Sequence, residues 1–158
     1  LGNMEQYAVA FRVEKNKCLQ ASDYPNKDLL TEVKEKFQKN EVYVSDNLIA
    51  AKADKNKQEH SEFRLKNYLK NILNEKDKCV VYFTVNSPCL NKCVSDSWEY
   101  SIKGNLELLQ KYEGIKAFAF KKVWREDKKE EVIKRLKAIA PALPYYQCEK
   151  NKAKCDRL

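Results

Sequence analysis

A chain of 158 residues with 31 Lys and Arg against 23 Asp and Glu, a formal net charge of +8, and only 3 Gly and 4 Pro is the size of one domain with a core of its own. The balance of apolar and charged residues, and the want of any run of about 18 apolar residues, exclude collagen-like, linker-like and membrane-spanning classes. Residues 1–158 are therefore expected to form a single soluble domain, and neither a membrane span nor a protein partner is implied. The basic excess favours polyanions such as nucleic acid through long-range attraction and counterion release, although acids are interleaved with the bases, as in Lys122-Val123-Trp124-Arg125-Glu126-Asp127. Leu1-Gly2-Asn3-Met4 shows neither the charged nor the apolar region of a secretory leader. Residue 1 is not Met, so the chain reads as a trimmed or recombinant product, and its start is no argument for the cytosol.

Tyr7, Val9, Phe11 and Val13 alternate with Ala8, Ala10 and Arg12, which predicts a first strand over about 6–14 with one apolar face. Leu30, Val33 and Phe37 recur at helical spacing among lysines and glutamates and predict an amphipathic helix over 27–40, inserted at the surface. Two short apolar runs around Ser45-Asp46-Asn47 predict a hairpin or a bent second strand. Leu65, Tyr68, Leu69, Ile72 and Leu73 form the single stripe of one helix that starts near His60. The β-branched and aromatic run from Cys79 to Val85 predicts a strand buried on both faces at the centre of a sheet. After it, the pattern predicts a helix opening near Cys89 and another carrying Leu106, Leu108, Leu109 and Tyr112. A strand from Ile115 to Phe120 follows, then a helix with Val132, Ile133, Leu136 and Ile139 stopped by Pro141. A short edge strand, Tyr145 to Cys148, precedes a lysine-rich tail over 149–158. Such alternation implies an α/β sheet covered on both faces.

The chemistry is concentrated in two short motifs, His60-Ser61-Glu62 and Pro88-Cys89-Leu90-Asn91-Lys92-Cys93. Cys89 and Cys93 are four apart, so in a helix both sulfurs share a face and can bind one metal ion. With His60 they make three ligands and leave the fourth tetrahedral position to water, the mark of a catalytic rather than a structural Zn2+ site. Glu62 is the carboxylate placed to move protons on that water and its target. Each residue alone has an ordinary explanation: a solvated His, a Glu near a helix start, a disulfide or a core cysteine pair. The order of the two motifs, and the fact that His60 is the only His of the chain, favour the metal reading.

His60-Ser61-Glu62 together with Thr84-Val85-Asn86-Ser87-Pro88-Cys89 and Cys93 resembles the AID/APOBEC-like cytidine deaminases, most of all their secreted branch. The resemblance covers a core of about 41–149. It implies a cytidine-deaminase-like three-layer α/β fold, a five-stranded mixed sheet of order 2-1-3-4-5 flanked by helices, whose last two strands run parallel as in polynucleotide deaminases. It further implies zinc-dependent hydrolytic deamination of cytosine to uracil in single-stranded DNA or RNA, in a setting such as immune defence. In the family the loop after the fourth strand reads a neighbouring nucleotide. Here that loop offers Lys121, Lys122 and Arg125 to phosphate and Trp124 to a base, unless Trp124 packs on the sheet. Asn86 and Ser87 are the expected contacts from the third strand. Two departures stand out: Asn86 replaces the family's usual aromatic residue, and three residues rather than two separate the cysteines.

In the sheet order that the resemblance implies, the end of strand one lies beside the start of strand three if those strands are antiparallel. That predicts a Cys18–Cys79 disulfide and leaves Cys148 to pair with Cys155. Four reduced cysteines in a cytoplasmic enzyme are the alternative, and the secreted branch tips the expectation to the extracellular side. Two other functions stay open at this point. One is deamination of free cytidine or deoxycytidine, and the other is a secreted effector that binds zinc and nucleic acid without turnover.

Overall fold

The computed structural model describes residues 6–19, 25–149 and 154–158. Leu1 to Met4 and the middle of the lysine-rich tail lie outside the described residues. The chain order is β1 (Tyr7–Val13), α1 (Lys15–Leu19), α2 (Lys27–Gln38), β2 (Tyr43–Val44), β3 (Leu48–Lys52), α3 (Ser61–Arg64), a 3-10 turn (Lys66–Tyr68) and α4 (Leu69–Leu73). Then come β4 (Cys79–Asn86), α5 (Lys103–Lys111), β5 (Ile115–Lys122), α6 (Lys129–Ile139), β6 (Tyr145–Gln147) and β7 (Asp156–Arg157). Among the described residues no helix is long and apolar enough to cross a membrane.

The strands form one mixed sheet of order β2-β3-β1-β4-β5-β6-β7. Its inner five positions follow the expected 2-1-3-4-5 order, with two differences at the edges. The second strand is a true hairpin, β2 antiparallel to β3, and the tail adds β7 outside β6. Tyr145 to Cys148 is therefore not an edge: Tyr146 and Gln147 pair with Arg157 and Asp156, and the Cys148–Cys155 disulfide closes the loop between the two strands. β1 runs antiparallel to β4, while β4, β5 and β6 are parallel. The crossovers that parallel pairing requires pass through α5 and α6.

β1 is buried on both faces, where alternation predicted one. Ala8 and Ala10 are fully buried on the side that faces the main core, because small side chains let that core approach closely. Val9 lies on the other side with Leu48, Ala50, and Val33 and Phe37 from α2. α2 is thus the layer that covers this face of the sheet, with a core of its own, and not a surface ornament. Its start is capped by Asn26, whose Oδ1 accepts the Leu29 N–H at 2.9 Å. Arg12, the charged member of the β1 alternation, is 5% exposed. Its guanidinium donates to the carbonyls of Asn71 and Ile72 and to Asn47 Oδ1 at 3.2–3.3 Å, so the buried charge is matched by acceptors in α4 and in the β2–β3 turn.

The stripe expected on one helix after His60 survives, but the helix does not. Leu65, Leu69 and Ile72 are all fully buried although the chain breaks into α3, a 3-10 turn and α4. The Glu62 carbonyl, which a continuous helix presents to the N–H four residues on, instead accepts the Leu65 N–H at 3.3 Å and the Tyr82 hydroxyl at 3.2 Å. Arg64 also draws the segment toward the α2–β2 connection and β3, donating to Asn40 O and Lys52 O at 2.7 and 2.8 Å. At the entry to β5 Gly114 has no substitute, since a Cβ there meets Lys78 O at 2.6 Å.

Cys18, on α1, is bonded to Cys79, the first residue of β4, and Cys148 to Cys155. The first bond spans 61 residues and the second 7. A longer closed loop removes more entropy from the unfolded chain, about 4 kcal/mol against about 2. Paired Cys→Ser replacement at 18 and 79 is expected to lower the unfolding free energy in urea by roughly twice as much as replacement at 148 and 155.

Candidate metal centre and its surroundings

His60 sits just before α3 in extended conformation, φ −71° and ψ 154°. That backbone lies outside the helical conformation that Glu62 adopts in α3, so the two side chains, only two residues apart, are not held to the opposed directions of a regular helix. Cys89 lies three residues beyond the end of β4. Cys93 follows in a series of turns and not in a helix, which corrects the expected helix opening near Cys89. The reason lies in the carbonyls: Cys89 O accepts the Val94 N–H at 3.3 Å, five residues on, and Cys93 O is taken by Ile102 N–H at 2.8 Å and Ser101 Oγ at 3.1 Å. Arg135 of α6 donates to Val94 O at 2.9 Å. The bonds that continuing a helix needs are made instead with the start of α5 and with α6.

This wrapping still brings the three ligand atoms together, all within 4.8 Å of one another. His60 Nδ1 is 3.0 Å from Cys93 Sγ and 3.8 Å from Cys89 Sγ, and the two sulfurs are 3.2 Å apart. A tetrahedral zinc ion with Zn–S of about 2.3 Å and Zn–N of about 2.0 Å needs ligand separations of roughly 3.5–3.8 Å. The group fits such an ion after a shift of about half an ångström, and its soft sulfur and imidazole donors suit zinc. Cys89 and Cys93 are buried and His60 is half-buried, so the imidazole marks the side open to solvent. The Cys89 thiol is lowered to about 4 by the hydrogen bond from Cys93, helped by His60, while Cys93 is pushed up by the same hydrogen bond and by burial. The two thiols are linked through this 3.2 Å contact, in which either sulfur can donate. The acidity comes from these bonds, including Cys93 N–H to Cys89 Sγ at 3.4 Å, and not from a helix dipole.

Glu62 is 1% exposed. Burial raises its carboxyl above the usual range, against hydrogen bonds that lower it. Those bonds occupy both oxygens: Thr84 Oγ1 donates to Oε1 and Ser61 Oγ to Oε2, each at 2.9 Å. Gln6, at the entry to β1, adds a third donor. Its Nε2 lies 3.4 Å from Glu62 Oε1 and 3.2 Å from both Ser61 Oγ and Thr84 Oγ1, while its Oε1 accepts the Asn86 N–H at 3.1 Å.

The remaining expected site residues divide. Asn86 and Ser87 are 8% and 3% exposed. The Ser87 N–H donates to Lys122 O at 2.8 Å, and its Oγ accepts the Trp124 N–H at 3.0 Å, so Ser87 ties β4 to the segment after β5. Lys121 and Lys122 belong to β5 itself rather than to the loop, Lys122 exposed and Lys121 half-buried. Trp124 packs against the main core, with the Arg125 guanidinium 5.7 Å from its ring centre. Asp127 fixes this loop to the cysteine turn, its Oδ2 accepting the Leu90 N–H at 3.0 Å.

Sequence reasoning missed Gln6 and Trp98. Gln6 carries no signal, since its partners lie 55 to 80 residues away. Trp98 meets the His60 ring edge to face at 5.4 Å. Its signal was legible: one of only two Trp, it stands in the polar run Ser95-Asp96-Ser97-Trp98-Glu99-Tyr100-Ser101 just after Cys93.

Residues 1–157 match the family described as Secreted Novel AID/APOBEC-like Deaminase 1. No curated protein and no solved structure matches the chain.

Replacing Gln6 by Ala removes a donor to the Glu62 cluster and strands the Asn86 N–H. The expected loss is about 1–2 kcal/mol in urea unfolding, and Gln6→Glu, which sets a second carboxylate beside Glu62, is expected to lose more than Ala.

Proposed function

The chain belongs to the Secreted Novel AID/APOBEC-like Deaminase 1 family, and from that membership we propose that it hydrolyses cytosine in single-stranded DNA or RNA to uracil and ammonia. The observation that carries the reading is the convergence of His60, Cys89 and Cys93, with the buried Glu62 carboxyl two residues from His60. In this reading residues 1–158 act as one domain, the first three side chains hold zinc, and Glu62 is the catalytic acid and base. Zinc supplies a water acidified toward a pKa of about 7.

Glu62 takes a proton on its carboxylate and delivers it to N3 of the ring. The first proton comes from water as the C4–O bond forms; the second comes from that same oxygen and passes by the same route to the exocyclic nitrogen as the C4–N bond breaks, so cytosine and water leave as uracil and ammonia. Burial suits this task, since a carboxyl whose proton affinity is raised holds a proton at neutral pH more readily than a solvated one. Thr84, Ser61 and Gln6 keep its two oxygens from turning away.

A strand as substrate is supported by the net charge of +8 and by parallel pairing of β5 with β6, the layout associated above with polynucleotide deaminases. Lys121, Lys122 and Arg125 meet phosphate in this reading, while Trp124, half-buried against the core, shapes the loop. In this reading Asn86 and Ser87, which follow one another at the end of β4, contact the target base, and Asn86 brings an amide where an aromatic ring is usual. The family is a secreted one, and the two disulfides are those of a protein folded in an oxidising compartment.

Uracil formation on cytosine-containing single-stranded DNA, RNA and free cytidine, measured side by side for the zinc-loaded protein, tests the proposal. Turnover of a strand is expected, and Glu62→Gln is expected to lower it by about 10²–10⁴-fold without loss of zinc. Turnover of cytidine alone would transfer the protein to nucleoside chemistry, and a zinc-loaded protein inert on all three would leave an adenine substrate or a binding protein without turnover. Cys93→Ser is expected to reduce bound zinc from one per chain to a small fraction, read by atomic absorption after gel filtration.

A further inference from the structure

Between Cys93 and α5 the segment 95–101 places aromatic rings at the open side of the metal centre. The Trp98 ring meets His60 at 5.4 Å and Tyr100 at 5.0 Å, and Tyr100 meets Phe63 at 4.7 Å, each pair edge to face. Phe63, Trp98 and Tyr100 are half-buried. Two ammonium groups stand against the same rings: Lys92 Nζ is 5.6 Å from the centre of Trp98, and Lys66 Nζ 5.8 Å from that of Phe63. Trp124 packs against the main core, whereas the ring contacts of Trp98 are with His60, Tyr100 and the Lys92 ammonium.

The segment is held in place rather than left to swing. Ser101 N–H donates to Trp98 O at 3.1 Å, and Ser101 Oγ and Ile102 N–H both reach Cys93 O. Asp96 is pinned by Lys103 and by Arg135, the latter at 3.1 Å. Trp98 is thereby fixed to the same backbone that carries Cys93.

Aromatic faces flanked by cations are what a single strand needs: bases stack on the rings, and lysines neutralise the phosphates between them. A platform of this kind also needs to touch the site where the target base enters, and the His60 contact provides that. We propose that Trp98 and Tyr100, with Lys92, form the binding site for the nucleotide that neighbours the target cytosine, its base on Trp98 and its phosphate on Lys92. This rests on the reading of the centre as that of a polynucleotide deaminase.

The test is strand affinity in the Glu62→Gln protein, so that turnover plays no part, read by anisotropy of a labelled oligonucleotide with one cytosine. Adding Trp98→Ala is expected to raise Kd about tenfold, and Trp98→Phe to restore most of the affinity, with one zinc per chain retained in both. An abasic residue at one neighbour of the cytosine is expected to cancel the difference in Kd between the parent and the Trp98→Ala protein, and abasic residues further away to leave it intact. The proposal is overturned by a Kd within twofold of the parent for Trp98→Ala, by a loss that persists on every abasic strand, or by a loss of zinc that Phe does not rescue. Failure of all strands to bind overturns it too, and leaves deamination of free cytidine as a separate question.

Discussion

A carboxyl group that is 1% exposed has to find donors or keep a proton, because an ionised carboxylate without partners is too costly to bury. Glu62 has three donors, and each comes from a different part of the chain: Ser61 beside it, Thr84 in the central strand and Gln6 at the start of β1. The requirement ties the first strand, the fourth strand and α3 to one point. It explains why β1 and β4 pair in the register that sets Ala8 opposite Thr84, since that register brings Gln6 within reach of both Thr84 and the Asn86 N–H.

The neighbouring cysteines answer to a related constraint. Two sulfurs and an imidazole gathered from segments 29 and 33 residues apart need backbone that departs from regular structure at each donor. His60 is extended, Cys89 follows the end of a strand, and Cys93 stands in a turn whose carbonyls are satisfied by α5 and α6. Irregular backbone is tolerable here because every carbonyl named finds a donor. The same bonds fix segment 95–101, so that the metal centre and the aromatic rings beside it share one scaffold.

Much of this was legible in the sequence, for reasons that can be assigned. Strands β1, β4 and β5 announce themselves through β-branched and aromatic runs, and the inner sheet order and both disulfides follow the family resemblance. The helix expected at Cys89 failed because four-residue spacing fits both a helix and a string of turns, and only partners from α5 and α6 decide between them. α2 was read as surface insertion because its periodicity shows that a face is buried but not against what; Val33 and Phe37 in fact close the second face of the sheet. The edge strand became an inner one because a two-residue strand, Asp156–Arg157, is too short to leave a periodic trace. Gln6 was invisible for a stronger reason, since the partners that explain its role are 55 to 80 residues away.

The centre and its carboxyl together make one chemical claim, that the oxygen placed on the ring comes from water. The measurement that tests it most directly is mass spectrometry of a cytosine-containing single strand after reaction with the zinc-loaded protein in H2(18)O. The account predicts one 18O atom in each uracil formed, and at most about a hundredth as much labelled uracil after reaction with the Glu62→Gln protein over the same interval. A strand recovered unchanged, or uracil formed without the label, would contradict it.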